Sequence, residues 1–120
     1  MKFNRFEDII AWQKSQDLAV EIYAKFANVK DFSFKDQICR ASVSISNNIA
    51  EGYDRQSDKE FARFLYIAKG SASEVKSMLY MAARLGYMTN EDAIELRQLS
   101  EEISKIIRGI IKYLYSNPSK

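Results

Sequence analysis

The chain reads as an all-α protein: an antiparallel up-down-up-down four-helix bundle in which residues 1–120 form a single domain. Three observations predict this. Apolar residues recur every three or four positions over long stretches, the period of a helix with one buried face. Helix-start signals stand at the head of three of those stretches. The composition leaves little material for sheets, because 47% of the residues are hydrophobic while Gly (4) and Pro (1) are scarce and Val and Thr are infrequent. A chain of 120 residues fits one domain with a core of its own. No repeat, linker or low-complexity tract points to a second.

The first segment runs from about Ile9 to Ala27. Trp12, Ala19, Ile22 and Phe26 share one face, with Leu18 and Tyr23 widening the stripe. The polar break Asn28–Ser33 then turns the chain. Ser33, with Asp36 three residues on, is the expected N-cap of the second segment. Its inward face is Phe34, Ile38, Ala41, Ile45 and Ile49, and Gly52 is its expected stop.

Ser57-Asp-Lys-Glu60 is a capping box and opens the third segment. Its stripe is Phe61, Phe64, Leu65, Ala68, Ala72, Val75, Leu79 and Ala82, ending at Gly86, and such a helix is about 40 Å long. Thr89 with Asp92 caps the fourth segment, whose core face is Leu96, Leu99, Ile103, Ile106, Ile110 and Leu114. Short links make sequential neighbours antiparallel. Ile107 and Ile111, with Met78 and Met81, form a second apolar stripe expected to meet a partner, and Tyr66, Tyr80, Tyr113 and Tyr115 suit such contacts. The expectation is a homo-oligomer.

The middle of the second segment, Gln37–Gly52, and the run Ala68–Glu74 carry small and polar residues where a globular helix usually carries Leu or Ile. Ala41, Ser42, Ser44, Ala68, Ser71 and Ala72 let two helices approach closely. Asn48, Gln37 and Glu74 then need hydrogen-bond partners at the seam. Arg40 is expected to pair with Glu74 across it, and Glu51 with Arg55 to brace the corner into the third segment.

Nothing in the chain points to catalysis. It has no histidine, hence neither the commonest general base nor the commonest zinc ligand. The glycine patterns of phosphate and dinucleotide loops are absent. Serines are plentiful, yet none has an activating base beyond a weakly spaced lysine. No metal and no cofactor is expected. Cys39 is the only cysteine, so no internal disulfide forms, and the chain fits a reducing compartment. The start MKFNRFEDII has no signal-peptide core, and no stretch is long enough to span a bilayer. The expectation is a soluble cytoplasmic protein with no membrane partner.

The net charge is only +2, so bulk electrostatics demand no nucleic acid. Distribution says more. Lys69, Ser73, Lys76, Tyr80 and Arg84 form one basic ridge at helical spacing; Arg55, Lys59 and Arg63 form a second; Lys105, Arg108, Lys112 and Tyr115 form a third. Each also fits ordinary solvated helix surface and dipole matching. As phosphate contacts, the candidates are Lys69, Lys76, Arg84, Lys105, Arg108 and Lys112, with Tyr80 as a stacking residue. Base readout by a helix-turn-helix or zinc finger is not indicated.

The chain resembles the four-helix-bundle proteins encoded in intervening sequences of bacterial 23S rRNA genes, often labelled S23 ribosomal proteins. The resemblance rests on Phe6, Trp12-Gln13, Gln37-Ile38, Arg40-Ala41, Ser44-Ile45 and Asn48-Ile49-Ala50-Glu51-Gly52. Arg55, Ser57, Glu60-Phe61, Phe64-Leu65, Ala68, Gly70-Ser71-Ala72, Glu74 and Leu85-Gly86-Tyr87 continue it. It implies an antiparallel bundle and homopentameric rings. That family is in turn similar to the accessory variability protein of diversity-generating retroelements, a basic pentamer that associates with reverse transcriptase and nucleic acid. Ser46 stands where many relatives have proline, which implies a straighter second helix here. Two functions follow as expectations: a non-enzymatic, oligomeric accessory protein binding RNA or DNA, or a scaffold that binds another protein through its ring.

Overall fold

The computed structural model describes residues 3–117. A 3-10 turn, Phe6–Asp8, leads into four helices: α1 (Ile10–Lys25), α2 (Phe32–Tyr53), α3 (Asp58–Arg84) and α4 (Asn90–Ser116). Each helix packs on two neighbours in the cyclic order α1, α2, α3, α4, and no diagonal pair packs among the described residues. The result is an up-down-up-down bundle of about 50 × 20 × 19 Å.

α1 begins without a side-chain cap. Packing holds its entrance instead. Ile9 is fully buried, Phe6 meets Trp12 edge-to-face at 5.4 Å, and Gln13 Nε2 donates to the Glu7 carbonyl at 2.8 Å. The inward stripe is Ala11, Ser15, Leu18, Ala19 and Ile22, whereas Tyr23, expected to widen it, is exposed. The Ser15 hydroxyl is satisfied by the Ala11 carbonyl at 2.6 Å.

α2 starts earlier than its expected cap. Asp31, not Ser33, is the N-cap, its Oδ1 accepting the Phe34 N–H at 3.1 Å. The reason lies 56 positions away, where the Tyr87 hydroxyl donates to Asp31 Oδ2 at 2.7 Å and fixes the carboxylate in place. Phe34 lies beneath, stacked on Phe26 and edge-on to Tyr87. One end of the bundle is thereby tied across both its loops. At the other end Phe3, Tyr53 and Phe61 pack edge-to-face in series.

Gly52 does not stop α2, which runs on to Tyr53. A Cβ at Gly52 would lie 2.5 Å from the Phe64 Cβ, so glycine stands there because α3 comes too close for anything larger. The other caps agree with the sequence. Ser57 Oγ accepts the Glu60 N–H at 3.2 Å, and Thr89 Oγ1 accepts the Asp92 N–H at 3.1 Å. α3 ends in a Schellman turn: Gly86 has φ +77°, with Tyr87 N–H bonded to the Ala82 carbonyl at 2.9 Å and Gly86 N–H to that of Ala83 at 3.1 Å.

The second stripe of α4 is absorbed by the protein itself. Ile107 and Ile111 are buried in the bundle core rather than offered to a partner. α4 packs on both α3 and α1, so its buried arc is wider than one seam requires, and Leu99 and Ile106 become its half-buried margins. Met78 is half-buried, while Met81, Tyr66, Tyr80 and Tyr115 are exposed.

Two glycines make opposite predictions. Gly52→Ala lowers unfolding stability by about 1–3 kcal/mol, the range for overpacking a closed site. Gly70, where an added Cβ meets nothing within 4 Å, gains about 0.5–1 kcal/mol on replacement by Ala. Urea melts of both variants measure these changes. A third prediction concerns pH. The Tyr87 hydroxyl, and after it the Phe34 N–H, hold Asp31 below its ordinary value of 3.8, so that contribution is present above 3.8 and lost as pH falls through the lower folded value. The same bond raises Tyr87 above 10.0, and its contribution is lost as pH rises through the raised folded value. Thermal melts are expected to show Tyr87→Phe less stable than wild type near neutrality, with the difference fading towards both extremes.

Candidate nucleic-acid interface

The small residues of α2 and α3 meet at a polar seam. Ser44 Oγ and Ser71 Oγ share a hydrogen bond at 3.0 Å. Asn48 Nδ2 donates to the Ser44 carbonyl at 2.8 Å and to its Oγ at 2.9 Å. Gln37 Nε2 reaches Glu74 Oε2 at 3.2 Å. Arg40 does not bridge to Glu74 as expected: it turns back along its own helix to Asp36 at 3.0 Å, and Glu74 accepts from Gln37 instead. Glu51 and Arg55 do pair, at 2.8 Å, with the guanidinium 4.6 Å from the centre of the Phe64 ring. Ser46, at the position where proline was the alternative, is buried and accepts from Gln16 Nε2 of α1 at 3.0 Å. No buried side-chain nitrogen or oxygen among the described residues lacks a partner. The seam is a hydrogen-bonded network built into the α2/α3 interface.

The outer face between α3 and α4 is different. Lys69, Ser73 and Lys76 of α3 and Glu101, Ser104, Lys105 and Arg108 of α4 line one groove of about 250 Å³. In the buried α3/α4 interface Ser100 Oγ donates to the Ala72 carbonyl at 3.1 Å. Four cations there face a single carboxylate. Lys76 Nζ pairs with Glu101 Oε1 at 3.0 Å, and that hydrogen bond, before any longer-range attraction, lowers the Glu101 carboxyl from its ordinary value.

The two helices run in strict counter-step. Lys76 stands by Glu101; one turn further along α3, Tyr80 stands by Arg97, whose guanidinium carbon lies 4.0 Å from the ring centre. Of the candidates singled out in the sequence, Lys69, Lys76, Lys105 and Arg108 share the groove and Tyr80 continues its line. Lys112 is exposed one turn beyond Arg108, and Arg84 is exposed at the C-terminal end of α3; neither lines the groove. Arg97 was missed. It continues the α4 ridge at helical spacing, but the acidic Glu101 stands between it and Lys105, and the antiparallel pairing with Tyr80 is what ties it to the groove.

The remaining charges are largely neutralised in place. Lys14 pairs with Glu102, Lys25 with Asp92, Arg55 with Glu51 and Arg63 with Glu60. The ridge of Arg55, Lys59 and Arg63 thus has carboxylates beside both arginines and is not part of the groove. Among the described residues, Lys30, Lys35, Lys59, Lys69, Arg84, Arg97, Lys105, Arg108 and Lys112 have no ion-pair partner. Of these, Lys69, Lys105 and Arg108 line the α3/α4 groove and Arg97 adjoins it on Tyr80, whereas Lys30, Lys35 and Lys59 stand elsewhere. No group of three or more His, Cys, Asp or Glu able to hold a metal occurs among the described residues. No helix there is long and apolar enough to cross a membrane.

A family model described as 23S rRNA-intervening sequence protein matches residues 7–109. The crystal structure of a protein with unknown function from the S23 ribosomal protein family of Bacteroides thetaiotaomicron matches with a TM-score of 0.80 and 35% identity, covering 85% of this chain and 98% of that one. No curated protein matches.

Proposed function

The chain belongs to the 23S rRNA-intervening sequence protein family, and from that premise we propose that it is a non-enzymatic accessory protein that binds nucleic acid, RNA foremost, through its α3/α4 groove. One observation carries the reading. Four cations line this one groove against a single carboxylate, while Lys14, Lys25, Arg55 and Arg63 elsewhere each stand beside a carboxylate of their own. Such a stripe gains affinity by releasing counterions from a polyanion, a term that grows with each phosphate contacted. One protomer offers few contacts. A homo-oligomer, a pentamer by the resemblance, repeats the stripe and sums them.

The α1/α2 side supplies a surface for self-association. Val20 and Phe32 are 67% and 68% exposed, and Phe32 lines a groove of about 520 Å³ with Tyr23 and Cys39. Should that apolar surface stay open in the assembled protein, it favours the second reading, a scaffold for another protein.

The test is fluorescence anisotropy with structured rRNA fragments and duplex DNA across a salt series, on protein whose mass is fixed by light scattering. Lys69→Gln with Arg108→Gln is expected to weaken binding and flatten the salt dependence by about 0.7–0.9 in logarithmic slope per charge removed in each bound protomer. Lys30→Gln, on the loop before α2, removes the same kind of charge away from the groove and is expected to change little. Glu101→Gln frees Lys76 and strengthens binding. A well-formed oligomer that binds no nucleic acid near physiological salt would sink the proposal and favour the scaffold.

A further inference from the structure

We infer that Tyr80 and Arg97 form a seat for one unpaired nucleobase, so that the groove takes a single strand in preference to a duplex. The inference rests on the nucleic-acid reading above and adds the state of the strand to it. The Arg97 guanidinium is held 4.0 Å from the centre of the Tyr80 ring, and the tyrosine remains 51% exposed. Arg97 has no ion-pair partner among the described residues, and Glu101, the carboxylate one turn along α4 that it attracts, is bonded to Lys76 instead. A guanidinium stacked on a ring keeps N–H donors along its edge for phosphate or base oxygens. The pair is thus a flat surface with a charged rim.

Its position matters as much as its chemistry. From Lys76 to Tyr80 is one helical turn, about 6 Å, and from Lys69 to Tyr80 about 16 Å. A strand whose phosphates follow Lys69, Arg108 and Lys105 therefore reaches the Tyr80–Arg97 surface within a few nucleotides. Packed helices lie about 8–10 Å apart, so the slot between their side-chain ridges is roughly one strand wide. A duplex can lay its backbone across such a slot, but its bases are stacked inside and present no free face to a ring. An unpaired base presents one and can stack on the tyrosine or on the guanidinium that covers it.

The experiment measures anisotropy of a labelled single strand and of its blunt duplex at one salt concentration, using the full chain. A second strand carries 2-aminopurine, whose emission is quenched by stacking. Wild type is expected to bind the single strand about tenfold tighter than the duplex and to quench the probe, as loss or gain of one stacked base predicts. Arg97→Lys, which keeps the charge but not the plane, and Tyr80→Ala each lower single-strand affinity by about 5- to 100-fold and leave the duplex nearly unchanged. Tyr80→Phe retains both affinity and quenching, and thermal melts check that every variant is folded. Equal or tighter duplex binding, or an Arg97→Lys variant that binds the single strand like wild type, overturns the inference. In that event, weakening by Lys69→Gln with Arg108→Gln still upholds the phosphate groove. Absence of binding to either nucleic acid overturns both.

Discussion

The close approach of α2 and α3 is the constraint on which the other positions depend. At Gly52 the separation leaves no room for a methyl group beside Phe64, and the neighbouring turns are built from Ala, Ser and Asn. Small side chains bury little apolar area, so this seam relies on contact density and a satisfied polar set rather than on bulk. The larger contribution comes from Ile38, Ile45, Ile49, Leu65, Val75 and Leu79, all fully buried, at roughly 1.5–3 kcal/mol each. With α3 held against α2, its opposite flank is presented to α4. The basic groove is the outer edge of that second interface.

Charge is sorted as sharply as hydrophobicity. A net charge of +2 spread evenly would produce almost no field. Instead acidic side chains stand beside cations on other sides, as in Lys14–Glu102 and Lys25–Asp92, and leave the α3/α4 side with a local excess. Exposed pairs of that kind add little stability. Their consequence here is electrostatic contrast, since they silence cations that would otherwise dilute the stripe.

Helices and local caps were legible because their signals lie within a few residues. Ser57 and Thr89 cap as written, and the apolar stripes locate the core. What failed was set by distant contacts. Asp31 is the cap because Tyr87 holds it, and no local rule distinguishes it from Ser33. Ile107 and Ile111 look surplus until α4 is seen to serve two neighbours. Arg40 and Glu74 are complementary in charge, yet Gln37 reaches the carboxylate while Arg40 has Asp36 four residues away on its own helix. The groove was half legible: its cations announce themselves by spacing along each helix, whereas Arg97, cut off from that series by the acidic Glu101, is tied to Tyr80 only by the register between helices.

That register is set by the turn from Gly86 to Thr89, which holds the rows of α3 and α4 in phase as a zip fixes its teeth. Lys76 meets Glu101 and Tyr80 meets Arg97 because equal steps are counted outward from this one link. Lengthening either helix by one residue beside this link would rotate its far face by about 100°, since each helical residue advances by that angle. The apolar face of α4 would resist, and whichever compromise it reached, the two cation rows would no longer meet across one groove.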